Sequence, residues 1–191
     1  MNPSKTLLLA LLVPLALGGC VSKQVKRVNE VQATQAQQEL PLEQLIDVTV
    51  IAFDPGTPKT LKEQQDQGIL PAVREAEANY FPQILRQTLD GTGNWGTVRV
   101  LPEATPASML VVGGKILHSD GEILKLRITA QDTTGRKWLD KTYEESAAEL
   151  SYTEKSVRGV DPFQDLYSRV ANDLLTERRK LSAAQVLDVR R

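Results

Sequence analysis

The sequence predicts an α+β fold, in which a mixed sheet of about five strands, including a β-meander, carries two main helices on one face. Five short segments have the β-branched content or the alternation of polar and apolar residues that is typical of strands. Two longer segments have apolar residues at helical spacing. A chain of 191 residues is long enough for one domain with its own hydrophobic core.

The first strand is predicted over residues 46–53, which are rich in valine and isoleucine. Asp54-Pro55-Gly56 ends it, because these residue types favour a turn. The polar stretch that follows, to about Gly68, is predicted as a long loop. Loops of this length are usually either functional or mobile.

A helix is predicted to begin near Pro71 and to end at Asp90-Gly91. Pro82 is expected to kink this helix or to split it near Tyr80. The residues expected to face the core are Val73, Ala76, Tyr80, Ile84, Leu85 and Leu89. A second strand is predicted over residues 95–101.

The meander is predicted from turn residues between three strand patterns. Asp120-Gly121 separates residues 109–118 from residues 123–130, and an Asp-Gly pair in this position is a strong hairpin signal. A turn at residues 133–136 leads to a further strand over residues 137–143. Polar and apolar residues alternate along the middle strand, so one face of the meander is expected to be polar.

The last helix is predicted to begin with Asp161 as its cap, Pro162 in the first turn and Gln164 as a capping-box partner. Its apolar stripe is Phe163, Leu166, Tyr167, Val170, Ala171, Leu174 and Leu175. The basic residues at 178–180 and 190–191 are interpreted as a solvated face. Residues 45–191 are therefore predicted to form a single domain.

The first 19 residues have the features of a secretory signal peptide: one charge at Lys5, a short apolar stretch and small residues at its end. The stretch is too short for a membrane-spanning helix, which needs about 20 apolar residues. It is followed by Cys20, the only cysteine, so the chain can form no internal disulfide.

Leu17-Gly18-Gly19-Cys20 resembles the lipobox of bacterial lipoproteins. The resemblance implies cleavage between Gly19 and Cys20, lipidation of the Cys20 thiol and acylation of the new amino terminus, palmitate being the expected acyl group. In such lipoproteins, Val21 rather than aspartate after the cysteine implies the outer membrane, with the domain facing the periplasm. The lipid bilayer is therefore an expected partner through Cys20. The glutamine-rich residues 20–44 are predicted to be the anchor and a flexible polar tether.

The residue types point away from catalysis. His118 is the only histidine, whereas serine and cysteine hydrolases need a histidine base beside the nucleophile. Neither the glycines near Gly91 nor Gly113-Gly114 have the spacing of a nucleotide-binding loop. No pattern suggests metal ligands, and the formal net charge of −1 argues against nucleic acid as a partner. A non-enzyme without cofactor or metal is expected.

The candidate partner-binding residues fall into two groups. Asp54, Lys59 and Lys62 belong to the predicted loop, which is expected to bind a protein partner or else to be simply mobile. Trp95 and Trp138 are either exposed anchors or, more often for this residue type, part of the core. The polar face of the sheet is the other candidate surface.

Residues 109–143 resemble TolB amino-terminal-like domains. The resemblance is carried by Leu110-Val111-Val112-Gly113-Gly114-Lys115, Asp120-Gly121-Glu122, Leu126-Arg127-Ile128-Thr129-Ala130, Asp132-Thr133-Thr134-Gly135 and Trp138, and is continued by Asp161-Pro162-Phe163. The same α/β core occurs in the curli-secretion lipoprotein and in lipoprotein activators of penicillin-binding proteins. The resemblance covers about residues 46–175 and carries over no functional residue.

What the resemblance implies is a non-catalytic module of the cell envelope. The first hypothesis is an accessory or scaffold lipoprotein in a periplasmic or outer-membrane assembly or export system. The alternatives are an activator of a peptidoglycan synthase, acting by protein contact, and a carrier of a small ligand. The sequence does not predict the oligomeric state.

Overall fold

A computed structural model describes residues 31–147 and 161–191. The predicted signal peptide, the lipobox, the start of the tether and much of the connection before the last helix lie outside these residues. The elements are a 3₁₀ helix Leu42–Gln44, β1 Val48–Ile51, α1 Leu61–Asp66, α2 Pro71–Asp90, β2 Val98–Leu101, β3 Leu110–Ser119, β4 Ile123–Asp132, β5 Lys137–Ser146, α3 Gln164–Arg179 and α4 Ala183–Val189.

The five strands form one mixed sheet in the order β2-β1-β3-β4-β5. β1 lies parallel to both β2 and β3, whereas β3, β4 and β5 form an antiparallel meander. Gly121 and Gly135 have φ angles of 87° and 83° in the two meander turns, a conformation that glycine adopts without strain. The predicted α+β fold class is confirmed.

The core lies between one face of the sheet and the helices α2 and α3. Alternate residues of β4 point into it, and every residue of the apolar stripe predicted for α3 is buried. The opposite side chains of β4 are exposed or half-buried, as predicted for a meander with one polar face. The largest fully buried side chains include Tyr167, Leu85, Leu126, Ile128 and Leu174.

Pro82 does not split α2, which continues from Pro71 to Asp90. Proline has no N–H to donate to the carbonyl four residues earlier, here that of Ala78. That carbonyl instead accepts a hydrogen bond from the N–H of Phe53, at 3.0 Å, just after β1. The bond lost within the helix is therefore replaced by one that ties the helix to the sheet.

The buried face of α2 includes Leu85 and Leu89 as predicted, but it differs from the predicted one in the first half of the helix. Val73 and Tyr80 are 48% and 50% exposed, while the buried residues are Arg74, Ala78, Phe81, Pro82, Leu85 and Leu89. The predicted stripe left out Phe81, the largest apolar side chain of the helix. Burying Phe81 places Val73 and Tyr80 on the solvent side.

The polar stretch that was predicted as a loop contains a helix, α1. Thr60 caps it, since its hydroxyl accepts a hydrogen bond from the N–H of Glu63 at 3.2 Å. Thr60 followed three residues later by Glu63 is a capping-box sequence, which was the signal for this helix. At α3 the predicted box is not formed: Asp161 accepts from the N–H of Phe163, and Gln164 donates to Thr88.

The described part of the predicted tether is attached to the domain. The side-chain amide of Asn172 donates to the carbonyl of Gln32 (2.9 Å) and accepts from the N–H of Thr34 (2.8 Å). Asn94 donates to the carbonyl of Thr34 at 2.7 Å. We call residues 32–36 the strap. Side chains distant in sequence satisfy its backbone, so ordered contacts with the domain begin before residue 45.

Replacing Asn172 with alanine is expected to loosen the strap, because two hydrogen bonds to its backbone are lost. At about 1 kcal/mol each, their loss should speed exchange of the Ala36 amide, which donates to Thr92, about tenfold or more. Hydrogen exchange followed by mass spectrometry measures this. Asn79→Ala is the control, because Asn79 bonds only within its own helix, to Glu75. Equal exchange rates of the Ala36 amide in the Asn172→Ala and Asn79→Ala variants would contradict the role given to Asn172.

The basic tail is not a purely solvated face. Arg178 donates to the carbonyl of Gln44 at 2.7 Å, and Arg190 donates to the carbonyl of Leu45. Both carbonyls belong to residues at the end of the 3₁₀ helix, just before β1. The helix itself supplies no N–H group to bond them. The basic tail therefore fixes the segment that leads into β1. Val186 and Val189 of α4 are buried beside it.

Candidate interaction site

A surface groove lies between the end of the β3–β4 hairpin and the start of α2. Its volume is about 710 Å³. It is lined by residues 67–70, Val73, Arg74, Glu77 and residues 117–121. We call it the hairpin groove.

Three apolar side chains form the rim of the hairpin groove. Leu70 is 67% exposed, Val73 48% and Leu117 43%. The pairing of β3 with β4 shifts between Ile116 and His118, so Leu117 is the extra residue of a β-bulge. A bulge redirects the side chain at that point of the strand. The rim is thus assembled from a loop, a helix and an irregular strand.

A buried ion pair forms the floor. Arg74 is only 5% exposed, and its guanidinium lies 3.5 Å from one carboxylate oxygen of Glu77. The other oxygen of Glu77 accepts the hydroxyl of Ser119 at 2.6 Å. A charge this deeply buried requires a partner, and Glu77 is the one that the described residues provide for Arg74. The ion pair lies within α2, and the hydrogen bond from Ser119 to Glu77 connects it to β3 beneath the groove.

His118 and Asp120 stand at the end of the groove, with His118 Nε2 2.9 Å from Asp120 Oδ2. Asp120 Oδ1 accepts the backbone N–H groups of Ile123 (2.7 Å) and Glu122 (2.9 Å). The Ile123 amide, the His118 ring and the Glu122 amide lower the pKa of Asp120 to about 2. Asp120 is therefore a carboxylate at neutral pH, and it is about half exposed.

The hairpin groove is weakly acidic. Glu77 and Asp120 contribute two negative charges and Arg74 one positive charge, so the lining sums to −1 when His118 is neutral. Asp120 lies closer to solvent than Glu77, whose side chain is 22% exposed. A positively charged group approaching from solvent would therefore meet Asp120 first.

The groove lies beside a part of β3, residues 117–119, whose edge has no neighbouring strand among the described residues. β1 pairs with residues 110–112, and Asp54 makes one further bridge to Lys115. The N–H of Asp54 donates to Gly114 (2.8 Å), and its carbonyl accepts from Ile116 (2.9 Å). Beyond this bridge, residues 31–147 and 161–191 supply no strand beside residues 117–119 on that side.

The predicted loop residues do not line the hairpin groove. The Asp54 carboxylate forms an ion pair with Lys115 at 3.2 Å. The Gly56 amide and Lys115 outweigh partial burial and lower the pKa of Asp54. Lys59 and Lys62 are exposed, one before α1 and one in its first turn.

The two tryptophans are not on the surface. Trp95 and Trp138 are 6% and 5% exposed, and their rings lie 6.2 Å apart in the core. Both residues are therefore removed from the candidate partner surface.

The polar face of the sheet has its charges paired across strands. Arg127 makes two hydrogen bonds to Asp140, at 2.8 and 3.0 Å, and Lys125 lies 2.8 Å from Glu144. Exposed pairs of this kind add little to stability. They also satisfy one another, so this face offers a partner fewer open contacts than the hairpin groove.

No sequence pattern marked Leu70, Val73, Arg74 or Leu117 as site residues. Nothing in a sequence separates an exposed leucine from a buried one before the register of a helix or a bulge is known. One local signal existed: Arg74 and Glu77 have the i, i+3 spacing of a helical ion pair.

Two further properties concern the described residues only. Within residues 31–147 and 161–191, no group of three or more His, Cys, Asp or Glu side chains is placed to hold a metal ion. No helix in these two segments has both the length and the apolar character needed to cross a membrane. Gly19 and Cys20 lie outside them, so cleavage and lipidation remain predictions.

No family model matches the chain, and no curated protein is significantly similar to it. Solved structures show a distant structural relationship. The PelC dodecamer from Paraburkholderia phytofirmans is 14% identical over 73% of this chain and 93% of that chain, with a TM-score of 0.38. A variant of that dodecamer is 18% identical over 80% and 92%, with a TM-score of 0.32. The hypothetical protein CT253 from Chlamydia trachomatis is 11% identical over 75% and 99%, with a TM-score of 0.37.

Proposed function

We propose that the chain is a non-enzymatic accessory protein of the bacterial cell envelope that binds a protein partner through the hairpin groove. The observation that carries this proposal is the groove itself, where an exposed apolar rim surrounds an ordered, buried ion pair. Apolar side chains grouped on a surface and bordered by polar residues are typical of interaction sites. The rigid floor allows such a rim to keep its shape without a partner.

The polar groups of the groove suit binding better than catalysis. Nucleophilic catalysis needs a hydroxyl or thiol next to a base that is itself held in place. The hydroxyl of Ser119 donates to Glu77 and not to His118, and Glu77 is already engaged with Arg74. His118 bonds to Asp120 near solvent. This arrangement supports a binding role.

The envelope part of the proposal rests on the sequence. The signal-peptide features and the Leu17-Gly18-Gly19-Cys20 lipobox predict export and lipid anchoring at Cys20. A lipid-anchored domain that carries an open groove fits an accessory role in an assembly or export system of the outer membrane.

In-cell photo-crosslinking tests the proposal. A crosslinking residue placed at Val73, in the groove, is compared with one at Leu187 on α4, since the two side chains are 48% and 47% exposed. We expect position 73 to capture a reproducible protein of one envelope system and position 187 not to capture it. Capture of a peptidoglycan synthase would favour the synthase-activator alternative. Recovery of the same abundant proteins at both positions would contradict a groove-mediated accessory role.

A further inference from the structure

We propose that the hairpin groove binds an extended peptide segment of the partner in which an apolar side chain neighbours a basic one. This inference rests on the proposed function and specifies the chemistry of the partner. It follows from the shape of the rim, the charge of the lining and the unpaired edge of β3.

The rim defines the apolar part of the ligand. Leu70, Val73 and Leu117 come from three separate segments and face the same groove. Beneath them, Arg74, Glu77 and Ser119 are fixed to one another by the contacts of the floor. An apolar side chain inserted between the three rim residues would remove their exposed surface from water, which is the main favourable contribution available here.

The charge of the lining defines the second part of the ligand, its basic side chain. Both oxygens of Glu77 are occupied, by Arg74 and by Ser119, and its side chain is 22% exposed. Asp120 is bonded to two backbone amides through Oδ1 and to His118 through Oδ2, but its side chain is 47% exposed, so it is the carboxylate that a ligand can reach. A lysine or arginine of the ligand would pair with Asp120. An acidic side chain would meet the net negative charge of the groove and be repelled.

The edge of β3 defines the conformation of the bound peptide. Asp54 shows how an extended segment lies beside this strand, since its N–H and carbonyl bond to Gly114 and Ile116. The groove begins where that bridge ends. A peptide in extended conformation would continue the same line past residues 117–119, a mode of recognition used at other exposed sheet edges.

Peptide binding to the full chain, held in nanodiscs of zwitterionic lipid, tests the inference by fluorescence anisotropy. One labelled decapeptide alternates valine with lysine, and a second alternates valine with glutamate. We expect the lysine peptide to bind at least about tenfold more tightly. The double variant Leu70→Ser/Val73→Ser should weaken its binding about tenfold, and Asp120→Asn about threefold. Leu187→Ser changes a leucine on α4 whose exposure, 47%, is close to that of Val73, and should leave binding unchanged.

Equal affinity for the two peptides, or affinity unaffected by the Leu70→Ser/Val73→Ser variant, would overturn the inference. Thermal unfolding of each variant checks that the fold is intact, as expected for exposed positions. The crosslinking at Val73 separates this failure from that of the proposed function. A specific envelope protein captured there, with neither peptide preferred, leaves the accessory role in place and removes only the ligand chemistry.

Discussion

Replacing Asp132 with alanine is expected to lower the free energy of unfolding by about 4 kcal/mol, because a buried carboxylate with four hydrogen bonds is lost. Asp132 Oδ1 accepts the N–H (2.9 Å) and the hydroxyl (2.6 Å) of Thr134 and the N–H of Arg136 (3.1 Å). Oδ2 accepts the indole N–H of Trp138 at 2.8 Å. Alanine would leave that indole N–H in the core without an acceptor.

Urea unfolding of the wild type and of Asp132→Ala measures this loss. Asp140→Ala is the matched control, since Asp140 is an exposed carboxylate on the next strand whose partner, Arg127, is also exposed. Its effect should be much smaller. Similar losses for the two variants would show that the turn between β4 and β5 does not depend on Asp132.

The same carboxylate makes stability depend on pH in a predictable direction. Burial disfavours the charged form of Asp132, but the hydrogen bonds from Thr134, Trp138 and Arg136 outweigh it and lower its pKa below the ordinary 3.8. A carboxyl with a lowered pKa stabilises the fold above its unfolded pKa and loses that contribution as pH falls through its folded pKa. The difference between wild type and Asp132→Asn should therefore be largest at neutral pH and shrink below about pH 4.

Gly56→Ala is expected to destabilise the protein by about 4 kcal/mol, and Gly68→Ala by only about 1 kcal/mol. The two glycines have nearly the same left-handed backbone, with φ of 63° and 64°. A Cβ on Gly56 would overlap the backbone carbonyl oxygen of Ile116 in β3, whereas a Cβ on Gly68 would have nothing within 4 Å. The comparison separates the cost of the backbone conformation, which both share, from that of the clash.

Urea unfolding of both variants measures the difference in the free energy of unfolding. In Gly56→Ala, the amide of Asp54, which bonds to Gly114, should also exchange faster because the bridge to β3 must move. Equal destabilisation by the two alanines would mean that the chain at Gly56 can shift away from β3 without loss.

The parts of the fold that were predicted correctly have local signals. Asp120-Gly121 marks the hairpin because the turn itself needs that glycine, and the stripe of α3 is regular over four turns. The face of α2 was missed because Pro82 and Phe81 disturb a simple count of apolar positions. The strap was missed because Asn94 and Asn172, far away in sequence, satisfy its backbone.

The hairpin groove could not be predicted for a related reason. Leu117 faces it only because β3 bulges, and Arg74 is buried only because the register of α2 places it over the sheet. Asp132 and Trp138, by contrast, were noted as part of a family resemblance. In the structure Asp132 accepts the indole N–H of Trp138, so these two residues help to build the turn between β4 and β5.

The strap also limits how far the domain can lie from the lipid anchor that is predicted at Cys20. Eleven residues, 21–31, separate Cys20 from Gln32. Even a fully extended segment from Cys20 to Gln32 spans at most about 40 Å. A segment from Cys20 to residue 45 would span about 85 Å. With the acyl chains predicted at Cys20 inserted in the bilayer, the domain would stay within this distance of the membrane surface. Asn94, Asn172 and the bond from the Ala36 amide to Thr92 hold the strap, so its release would roughly double the distance that an anchored domain could reach from the membrane.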